Sequence, residues 1–271
     1  MDHRRFGQKI AADYDRGAEQ YRIDDEIEAL SENHQRIGGN IRRLSRSFTR
    51  PIRVLELGCG TGRYFHWLEN TKLLVGTDLS AEMLRCAKHP LQEHAVTAQE
   101  IKLMQANLYE VSFEPRSFDL IYSMGVFGYG AALTPELAAR IATWLAPDGR
   151  FYFDAIEKRE MGRSHALKRS VKSAVVPFLP GAMKQKLADR EAAAVPVIVH
   201  TRAEMERVMD AAGFMDFTIS SNTCHSPLWT GMHLECIARK QAAAVSERGE
   251  AVLGREGFDL EAAAAKRMQV A

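Results

Sequence analysis

The 271-residue chain lacks several features that mark particular classes of protein. It has four cysteines and no C-x-x-C pair, so neither a zinc site nor a disulfide framework is indicated. Its 36 basic and 35 acidic residues give a formal net charge of +1, whereas nucleic-acid-binding domains are usually strongly basic. We therefore expect no nucleic-acid partner. No apolar run is long enough to span a membrane and the N-terminus has no apolar signal region, so we expect a cytoplasmic protein.

The sequence does contain enough apolar residues for a full core. Hydrophobic residues make up 46% of the chain, which at this length allows one large domain or a domain with embellishments. The strongest local signal lies between Val54 and Asp78, in VLELGCGTGRYFHWLENTKLLVGTD. Two apolar runs, the first leading to Glu56 and the second to Asp78, predict two buried strands. The segment between them predicts a glycine turn and a helix from Arg63 to Asn70.

Three glycines spaced two residues apart follow the first strand: Gly58, Gly60 and Gly62. Glycine is needed where the backbone takes a positive φ or lies flat against a ligand. An acid at the tip of the second strand can accept hydrogen bonds from a ribose diol. A dinucleotide fingerprint, G-x-G-x-x-G, would need glycine at position 63, where the chain has Arg63. The carboxylate of Glu56 beside the loop suits a ligand that is cationic there, such as the α-ammonium of a methionine moiety.

The pattern Glu56-x-Gly58-x-Gly60-x-Gly62, with Asp78 after the next strand, resembles the first motif of class I S-adenosylmethionine (SAM)-dependent methyltransferases. The resemblance is dense over residues 51–156 and looser over 201–240. It implies an α/β fold with a Rossmann-like seven-stranded sheet, mostly parallel with an antiparallel last strand. Helices are expected on both faces of the sheet, together with N-terminal helices and a helical insertion. Further strands are predicted at 101–106, 118–123, 150–153, 215–220 and 232–238, and helices at 81–88, 135–145 and 201–213. The predicted helix starts are Ser80 as a cap, Thr134 as a cap before a first-turn proline, and a capping box of Thr201 and Glu204.

The resemblance also implies which residues bind SAM, whose demethylated product is S-adenosylhomocysteine (SAH). Glu56 is expected near the methionine ammonium, and Asp78 on the ribose. Asn107 is expected to accept a hydrogen bond from the adenine amino group, although the family more often has aspartate there. The other residues assigned to the cofactor lie in the glycine loop, beside the adenosine and at the end of the fourth strand: Gly58, Cys59, Gly60, Gly62, Leu79, Met83, Leu108 and Ser123.

Residues 1–49 are expected to form a helical cap on a methyltransferase domain at 50–240, which a tail at 241–271 follows. In the cap, Tyr14-Asp15-x-x-Ala18-x-x-Tyr21 resembles a pattern that precedes the core in many small-molecule and lipid methyltransferases. The two tyrosines lie two helical turns apart and share a face. They either anchor this helix on the sheet or close over the cofactor. An apolar stripe at 3-4 spacing follows them: Ile23, Ile27, Leu30, His34, Ile37, Ile41 and Leu44.

The predicted insertion at 157–197 is basic. Between Lys158 and Arg190 it has nine basic residues, opposed by only Glu160 and Asp189, and it has an apolar patch at 174–180. It is interpreted as a lid over the substrate, a recognition element for an anionic group, a contact with an anionic membrane, or merely a solvated helical hairpin.

The loop from Ser221 to Gly231 is expected at the carboxyl ends of the strands, because the sixth strand should run parallel to the first five and the seventh should run back. His225 and Trp229 would then project near the methyl group. His225 is our candidate catalytic base, with a role in shaping the cleft as its alternative. The rival groups for the base are Tyr14, Tyr21, Tyr129 and His34, because the N-terminal helices and the loop after the fourth strand should flank the same cleft. The candidates for substrate binding are Trp229, Tyr129 and His34. We interpret His34 either as a core or cleft-wall histidine or as a catalytic one.

We therefore expect a SAM-dependent methyltransferase that acts on a small or medium organic acceptor. Methyl transfer is an in-line displacement, in which the protein supplies proximity and alignment. A base is needed only when the nucleophile must lose a proton, so oxygen, nitrogen and carbon acceptors stay open. The alternatives are a peripheral-membrane lipid or quinone methyltransferase that uses the basic insertion, and a catalytically idle SAM-binding subunit. The sequence does not fix the oligomeric state.

Overall fold

A computed structural model of the protein describes residues 3–158, 197–214, 216–225 and 230–240. Its helices within these ranges are α1 (His3–Glu28), α2 (Glu32–Arg46), α3 (Ala81–Ala87), α4 (Pro135–Trp144) and α5 (Arg202–Ala211). Its strands are β1 (Ile52–Leu57), β2 (Thr71–Asp78), β3 (Glu100–Gln105), β4 (Phe118–Phe127), β5 (Leu145–Ile156), β6 (Asp216–His225) and β7 (Thr230–Arg239). Two short 3₁₀ helices lie at Phe65–Trp67 and Glu93–Ala95.

The seven strands form one sheet in the order β3-β2-β1-β4-β5-β7-β6. Strands β1 to β5 pair in parallel, whereas β7 runs antiparallel to both of its neighbours, β5 and β6. The predicted fold class, a Rossmann-like seven-stranded sheet with helices, is therefore confirmed. The chain moves outward from β1 to β3 and then returns to β4 on the other side of β1. The strand order thus reverses between β1 and β4, and open α/β sheets bind ligands at such a reversal.

The sheet is covered on both faces, and alternate residues of its central strands point to opposite sides. Leu55 of β1 belongs to a buried cluster with Ile141 of α4 and Met205 of α5. Its neighbour Val54 belongs to a second cluster with Ile41 of α2. Strands buried on both faces are nearly continuous apolar runs, which is why β1 and β4 were recognisable in the sequence. Among the described helices none is both long enough and apolar enough to cross a membrane.

The helix starts follow the predicted capping residues. The side chain of Ser80 accepts a backbone N–H in the first turn of α3, and Thr134 does the same for α4 ahead of a first-turn proline. Thr201 and Glu204 form the reciprocal capping box that opens α5. These local signals placed the helix starts correctly because a cap is satisfied within one turn of the chain.

The predicted helix from Arg63 to Asn70 is wrong. This segment holds only the single 3₁₀ turn at Phe65–Trp67, all three residues of which are buried. The Trp67 side chain packs directly on Gly38 of α2, and Asn70 takes φ +52° where the chain turns into β2.

The predicted apolar stripe from Ile23 to Leu44 is interrupted. Ile23, Ile27 and Leu30 are exposed, whereas Ile37, Ile41 and Leu44 are buried. The reason is that α1 ends at Glu28 and α2 starts after its cap, Ser31, whose side chain accepts the N–H of His34. The two helices are separate elements with their own buried faces, so a single apolar stripe at 3-4 spacing does not continue from α1 into α2.

The predicted loop from Ser221 to Gly231, after the sixth strand, is also wrong. Strands β6 and β7 pair as far as His225 and Thr230, so most of the segment from Ser221 to Gly231 belongs to strands. Residues 226–229, with Trp229, lie outside the described part of the chain.

Adjacent glycines in α2 provide a test of this packing. A Cβ on Gly38 would lie 2.1 Å from Cε2 of Trp67, whereas one on Gly39 would meet nothing within 4 Å. We expect Gly38→Ala to lower the free energy of unfolding by about 1–3 kcal/mol through overpacking. Gly39→Ala should raise it by about 0.5–1 kcal/mol, because alanine is the better helix former. Urea unfolding of both variants measures the difference, and effects of the same sign would contradict the contact between α2 and Trp67.

Candidate active site

A cavity of about 480 Å³ opens at the carboxyl edge of the sheet, beside the reversal between β1 and β4. Its volume lies in the range typical of small-molecule sites. The walls come from α1 and α2, from the loops that follow β1 to β4, and from the neighbouring ends of β5 and β7. Most of the residues singled out in the sequence line it: Tyr14, Tyr21, His34, Glu56, Gly58, Cys59, Gly60, Asp78, Leu79, Met83, Asn107, Leu108 and Tyr129.

The glycine loop lies at the floor of the cavity and is hydrogen-bonded to the end of β2. The backbone N–H groups of Gly58 and Cys59 donate to the Thr77 carbonyl at 2.7 and 2.8 Å. Gly58 has φ +71°, and a Cβ there would lie 2.3 Å from a methyl group of Val126. Gly60 has φ +53° and would meet nothing within 4 Å, so its backbone faces open space. This loop allows a ligand to approach the main chain closely.

Glu56 is a buried carboxyl at the cavity wall. It is 1% exposed, and its Oε2 accepts a hydrogen bond from the Tyr122 hydroxyl at 2.6 Å. Burial raises its pKa to about 8, although the bond from Tyr122 and the charge of Arg63 act in the opposite direction. A desolvated carboxyl of this kind favours a cationic ligand, because an opposite charge nearby stabilises its ionised form.

Asp78 ends β2 and connects the glycine loop to α3. Its Oδ2 accepts the backbone N–H of Gly60 at 2.9 Å, and its Oδ1 accepts that of Ser80 at 2.9 Å. Burial raises its pKa, against the lowering effect of these two hydrogen bonds. Each carboxylate oxygen has more than one lone-pair site, so Asp78 can also accept hydroxyl groups of a ligand.

One face of α1 forms a long wall of the cavity. The lining residues of this helix recur at three- to four-residue spacing: Gly7, Ile10, Tyr14, Tyr21, Asp24, Asp25 and Glu28. Asp15, on another face, accepts hydrogen bonds from the Ser80 hydroxyl at 2.5 Å and from the Glu82 backbone at 3.2 Å. Ala18 is 1% exposed and packs in a small cluster with Met83. Asp15 and Ala18 therefore hold α1 on α3.

The two tyrosines of this motif face the cavity together. Their ring centroids lie 5.5 Å apart with a 45° tilt. Tyr14 also packs against the cluster that contains Ala18, so anchoring the helix and lining the cavity are roles of the same side chain. Burial, and then the proximity of Tyr21, raise the pKa of Tyr14, so its phenol is neutral at physiological pH.

Asp25 joins α1 to the glycine loop. Its carboxylate accepts a hydrogen bond from the Thr61 hydroxyl and forms an ion pair with Arg63 at 3.1 Å. The Arg63 guanidinium lies 5.3 Å from the centre of the Tyr64 ring. Burial lowers the pKa of Arg63, but Tyr64 and Asp25 more than offset it, so the pKa is raised and the group stays cationic. The residue that breaks the dinucleotide fingerprint thus fixes the loop beneath α1.

A second polar group lies where β4, β5 and β7 meet the cavity. Asp154 Oδ1 accepts the backbone N–H of Gly125 at 2.6 Å, and Oδ2 lies 2.7 Å from Nδ1 of His233. The Tyr129 hydroxyl lies 3.4 Å from Nε2 of the same ring. Asp154 and His233 are each 3% exposed, and all three side chains line the cavity. Burial, and then Asp154, raise the pKa of Tyr129, so this residue is present as a neutral phenol.

His34 is a cleft-wall residue. It is 2% exposed, stacks on Tyr64 at 4.9 Å between ring centroids, and accepts the indole N–H of Trp67 at its Nε2, at 3.2 Å. Burial, and then the charge of Arg63, lower its pKa to about 3, so the ring is neutral. An indole N–H only donates, so the Nε2 lone pair is engaged and cannot take a proton.

Of the predicted site residues that the structure describes, three do not line the cavity. Gly62 has φ +79° and packs against Phe65, so its role is in the turn. Ser123 is fully buried, and its hydroxyl donates to the Leu57 carbonyl. His225 is exposed near the end of β6, because side chains alternate along a strand and its neighbour Cys224 is the inward-facing one. Trp229, most of the basic insertion and the C-terminal tail lie outside the described residues.

The sequence interpretation missed Asp25, Asp154 and His233. Asp154 had a recognisable signal, since it follows the aromatic run FYF at the carboxyl end of a parallel strand. His233 was missed because the predicted site residues of this region lay in the loop before β7, although a strand that runs back from this edge begins beside the cavity. Asp25 lies eleven residues after Tyr14, three helical turns along the same face.

Residues 54–149 match the family model described as a methyltransferase domain. This match supports the class I, SAM-dependent methyltransferase family that the sequence pattern indicates. Over 100 residues it is 36% identical to an uncharacterised protein of a Synechococcus strain. That stretch covers 36% of this chain and 24% of the other, so the chain spans about a quarter of the length of this curated relative.

Solved structures share the fold at low sequence identity. One is the 1,6-didemethyltoxoflavin-N1-methyltransferase of Burkholderia thailandensis with its substrate and SAH bound. Its TM-score is 0.57 at 19% identity, with 89% of this chain and 91% of that chain covered. Another is a phosphoethanolamine N-methyltransferase of Haemonchus contortus in complex with phosphomonomethylethanolamine and SAH. Its TM-score is 0.52 at 16% identity, with 76% and 52% covered. These similarities establish the fold.

Proposed function

We propose that this protein is an enzyme that binds SAM in the cavity beneath α1 and transfers its methyl group to a small organic acceptor. The observation that carries the proposal is that Glu56 and Asp78, at the ends of β1 and β2, face one cavity together with the glycine loop. The buried carboxyl of Glu56 favours a cation, so it would bind the ammonium group of the methionine moiety. The carboxylate of Asp78 can accept further hydrogen bonds, so it would bind the hydroxyl groups of the ribose.

The adenine end of the proposed site is apolar with one polar group. Leu79, Met83 and Leu108 line the cavity beside Asn107. Asn107 Oδ1 accepts the backbone N–H of Tyr109 at 3.0 Å, which fixes the orientation of the amide. An amide oxygen has two lone pairs, so the second can accept from the adenine amino group. These residues fit a purine in the way that the family resemblance implies.

The remaining walls suit an acceptor. They include His34, Tyr64, Met124, Tyr129 and His233, a mixture of ring faces with a small number of polar atoms. Sites for small organic molecules commonly have this composition. One face of α1 lines the cavity, and its walls would hold the acceptor close to the methyl group. A cavity of about 480 Å³ that also holds the cofactor favours a small acceptor.

The comparisons support the proposal. The family to which residues 54–149 belong uses SAM. Both of the solved structures described above contain SAH and act, by their names, on small molecules. Those similarities show the fold alone. The assignment of binding residues in this chain is therefore based on the residues that line its own cavity.

Calorimetric titration with SAM and SAH, followed by a transfer assay with [methyl-³H]SAM and a fractionated metabolite extract, tests the proposal. We expect both nucleosides to bind below about 1 mM, the upper end of ordinary Michaelis constants. We also expect one metabolite to gain the mass of a single methyl group. Absence of binding would remove the proposal. Binding without transfer to any metabolite would favour the idle SAM-binding subunit.

A further inference from the structure

We propose that His233, oriented by Asp154, is the general base of the methyl transfer. The acceptor is then a molecule whose nucleophilic atom carries a proton, a hydroxyl or a ring N–H. This inference rests on the proposed function and deepens it, because it narrows the class of acceptor. It comes from the buried pair of Asp154 and His233 at the wall of the cavity.

Asp154 fixes the orientation of the His233 ring. Oδ1 of Asp154 is held by the Gly125 backbone N–H at 2.6 Å, so the carboxyl cannot rotate freely. Oδ2 lies 2.7 Å from Nδ1 of His233, and a carboxylate oxygen only accepts. Nδ1 therefore carries the proton of the neutral ring, and Nε2 presents a lone pair. A carboxylate that sets the tautomer of a histidine in this way is a recurring arrangement for a base.

The lone pair of Nε2 faces Tyr129, across a contact that an acceptor can replace. Tyr129 Oη lies 3.4 Å from Nε2, longer than an ordinary hydrogen bond to nitrogen, and both side chains line the cavity. A hydroxyl or N–H of the acceptor that enters between them gains a better-placed partner. Tyr129 is then a positioning residue, whose neutral phenol holds the acceptor against His233.

The other candidate groups are unsuited to the role. His34 has its Nε2 engaged by the Trp67 indole, and His225 is exposed away from the cavity. Tyr14 is a neutral phenol, as is Tyr129. The charged and titratable groups with an influence on Tyr129 in this part of the cavity are Asp154, Cys224, the cationic Arg63 and Tyr21.

The reaction balances with the acceptor and SAM alone. A lone pair on the acceptor oxygen or nitrogen forms the bond to the methyl carbon. The bond between that carbon and sulfur breaks, and both of its electrons stay on sulfur, so the sulfonium becomes the neutral thioether of SAH. The acceptor proton passes to Nε2 of His233. The resulting imidazolium cation lies beside the Asp154 carboxyl.

Turnover of three variants tests the proposal, with SAM affinity measured in parallel. The acceptors are a panel of small aromatic molecules that bear a hydroxyl or a ring N–H, with tertiary amines of matched size as the class that has no proton to lose. His233→Asn keeps a donor toward Asp154 and removes the base, so we expect kcat to fall at least about 100-fold with SAM affinity unchanged within threefold. Asp154→Asn should lower kcat at least about tenfold, and the exposed His225→Ala should leave it unchanged.

NMR of the histidine rings provides a second test, which does not require that the acceptor is known. In ¹⁵N-labelled protein with SAH, the signal that His233→Asn removes should show a protonated Nδ1 and an unprotonated Nε2 at pH 7.5. A ring protonated at Nε2, or a His233→Asn variant that retains kcat within threefold, would overturn the assignment. Methylation of the tertiary amines alone would do the same. Failure of the wild-type protein to bind SAM is a different result, because it removes the proposed function itself.

Discussion

Replacing Asp78 by alanine is expected to lower the affinity for SAM at least tenfold and to leave the protein folded. The carboxylate of Asp78 is proposed to accept the ribose hydroxyls, and each buried donor left unpaired costs about 1–3 kcal/mol. It also accepts the N–H groups of Gly60 and Ser80, so its loss loosens the glycine loop as well. Calorimetric titration measures the affinity, and far-ultraviolet circular dichroism checks the fold.

Two further variants help to interpret the loss of SAM affinity in Asp78→Ala, one a milder change at the same residue and one a control at an exposed position. Asp78→Asn keeps one carbonyl oxygen for the loop and should lose less affinity than Asp78→Ala. Asp216→Ala makes the same chemical change at an exposed position at the start of β6 and should bind SAM as the parent does. An unchanged dissociation constant in Asp78→Ala would remove the proposed cofactor site.

Replacing Glu56 by glutamine is expected to lower SAM affinity by about 100-fold or more. The side chain keeps its size and an oxygen for the Tyr122 hydroxyl, but the methionine ammonium loses its counter-charge in a buried place. An unpaired buried charge costs about 3–5 kcal/mol. The matched change Glu93→Gln lies on an exposed 3₁₀ turn and should have no effect.

The raised pKa of Glu56 adds a dependence on pH that distinguishes this account from a simple steric effect. With a pKa of about 8, the carboxyl of the free protein is mostly protonated at pH 6.5 and must ionise to pair with an ammonium. SAM binding should therefore release close to one proton at pH 6.5, and affinity should rise as the pH increases toward 8. Titration in buffers of different ionisation enthalpy measures the release. Proton release that persists in Glu56→Gln would show that another group is responsible.

Stability of the free protein should respond to pH with the opposite sign. The folded-state pKa of Glu56 lies above the unfolded value, so its contribution to the free energy of unfolding is full below about pH 4.5 and is lost as the pH rises through 8. Burial of the ionised carboxyl is the unfavourable state, and a bound ammonium relieves it. SAM should therefore stabilise the protein more at pH 8 than at pH 6.

The parts of the fold that were predicted from the sequence are those set by local chemistry. The apolar runs around Val54 and Ile121 had to be buried strands, and Thr201 with Glu204 specified a helix start within one turn. The helix expected after Arg63 failed because tertiary contact decided it. The Trp67 ring lies on Gly38 of α2, and nothing in the sequence between Arg63 and Asn70 reveals that contact.

The candidate site divides in the same way. Glu56 and Asp78 were recognisable because each belongs to a strand with a glycine loop beside it, within 25 residues of sequence. Asp154 and His233 meet only because β5 and β7 pair in antiparallel register, 79 residues apart in the chain. His225 was chosen for its residue type and its expected place in a loop. The pairing of β6 with β7 through His225 places it in a strand instead.

A crystal structure of the protein with SAH tests the central claim most directly. The account predicts SAH in the cavity beneath α1, with its ammonium at hydrogen-bonding distance from Glu56 and its ribose hydroxyls on Asp78. The sulfur should face the part of the cavity that His233 and Tyr129 line. SAH bound elsewhere, or bound in this cavity with Glu56 and Asp78 making no contact to it, would contradict the account.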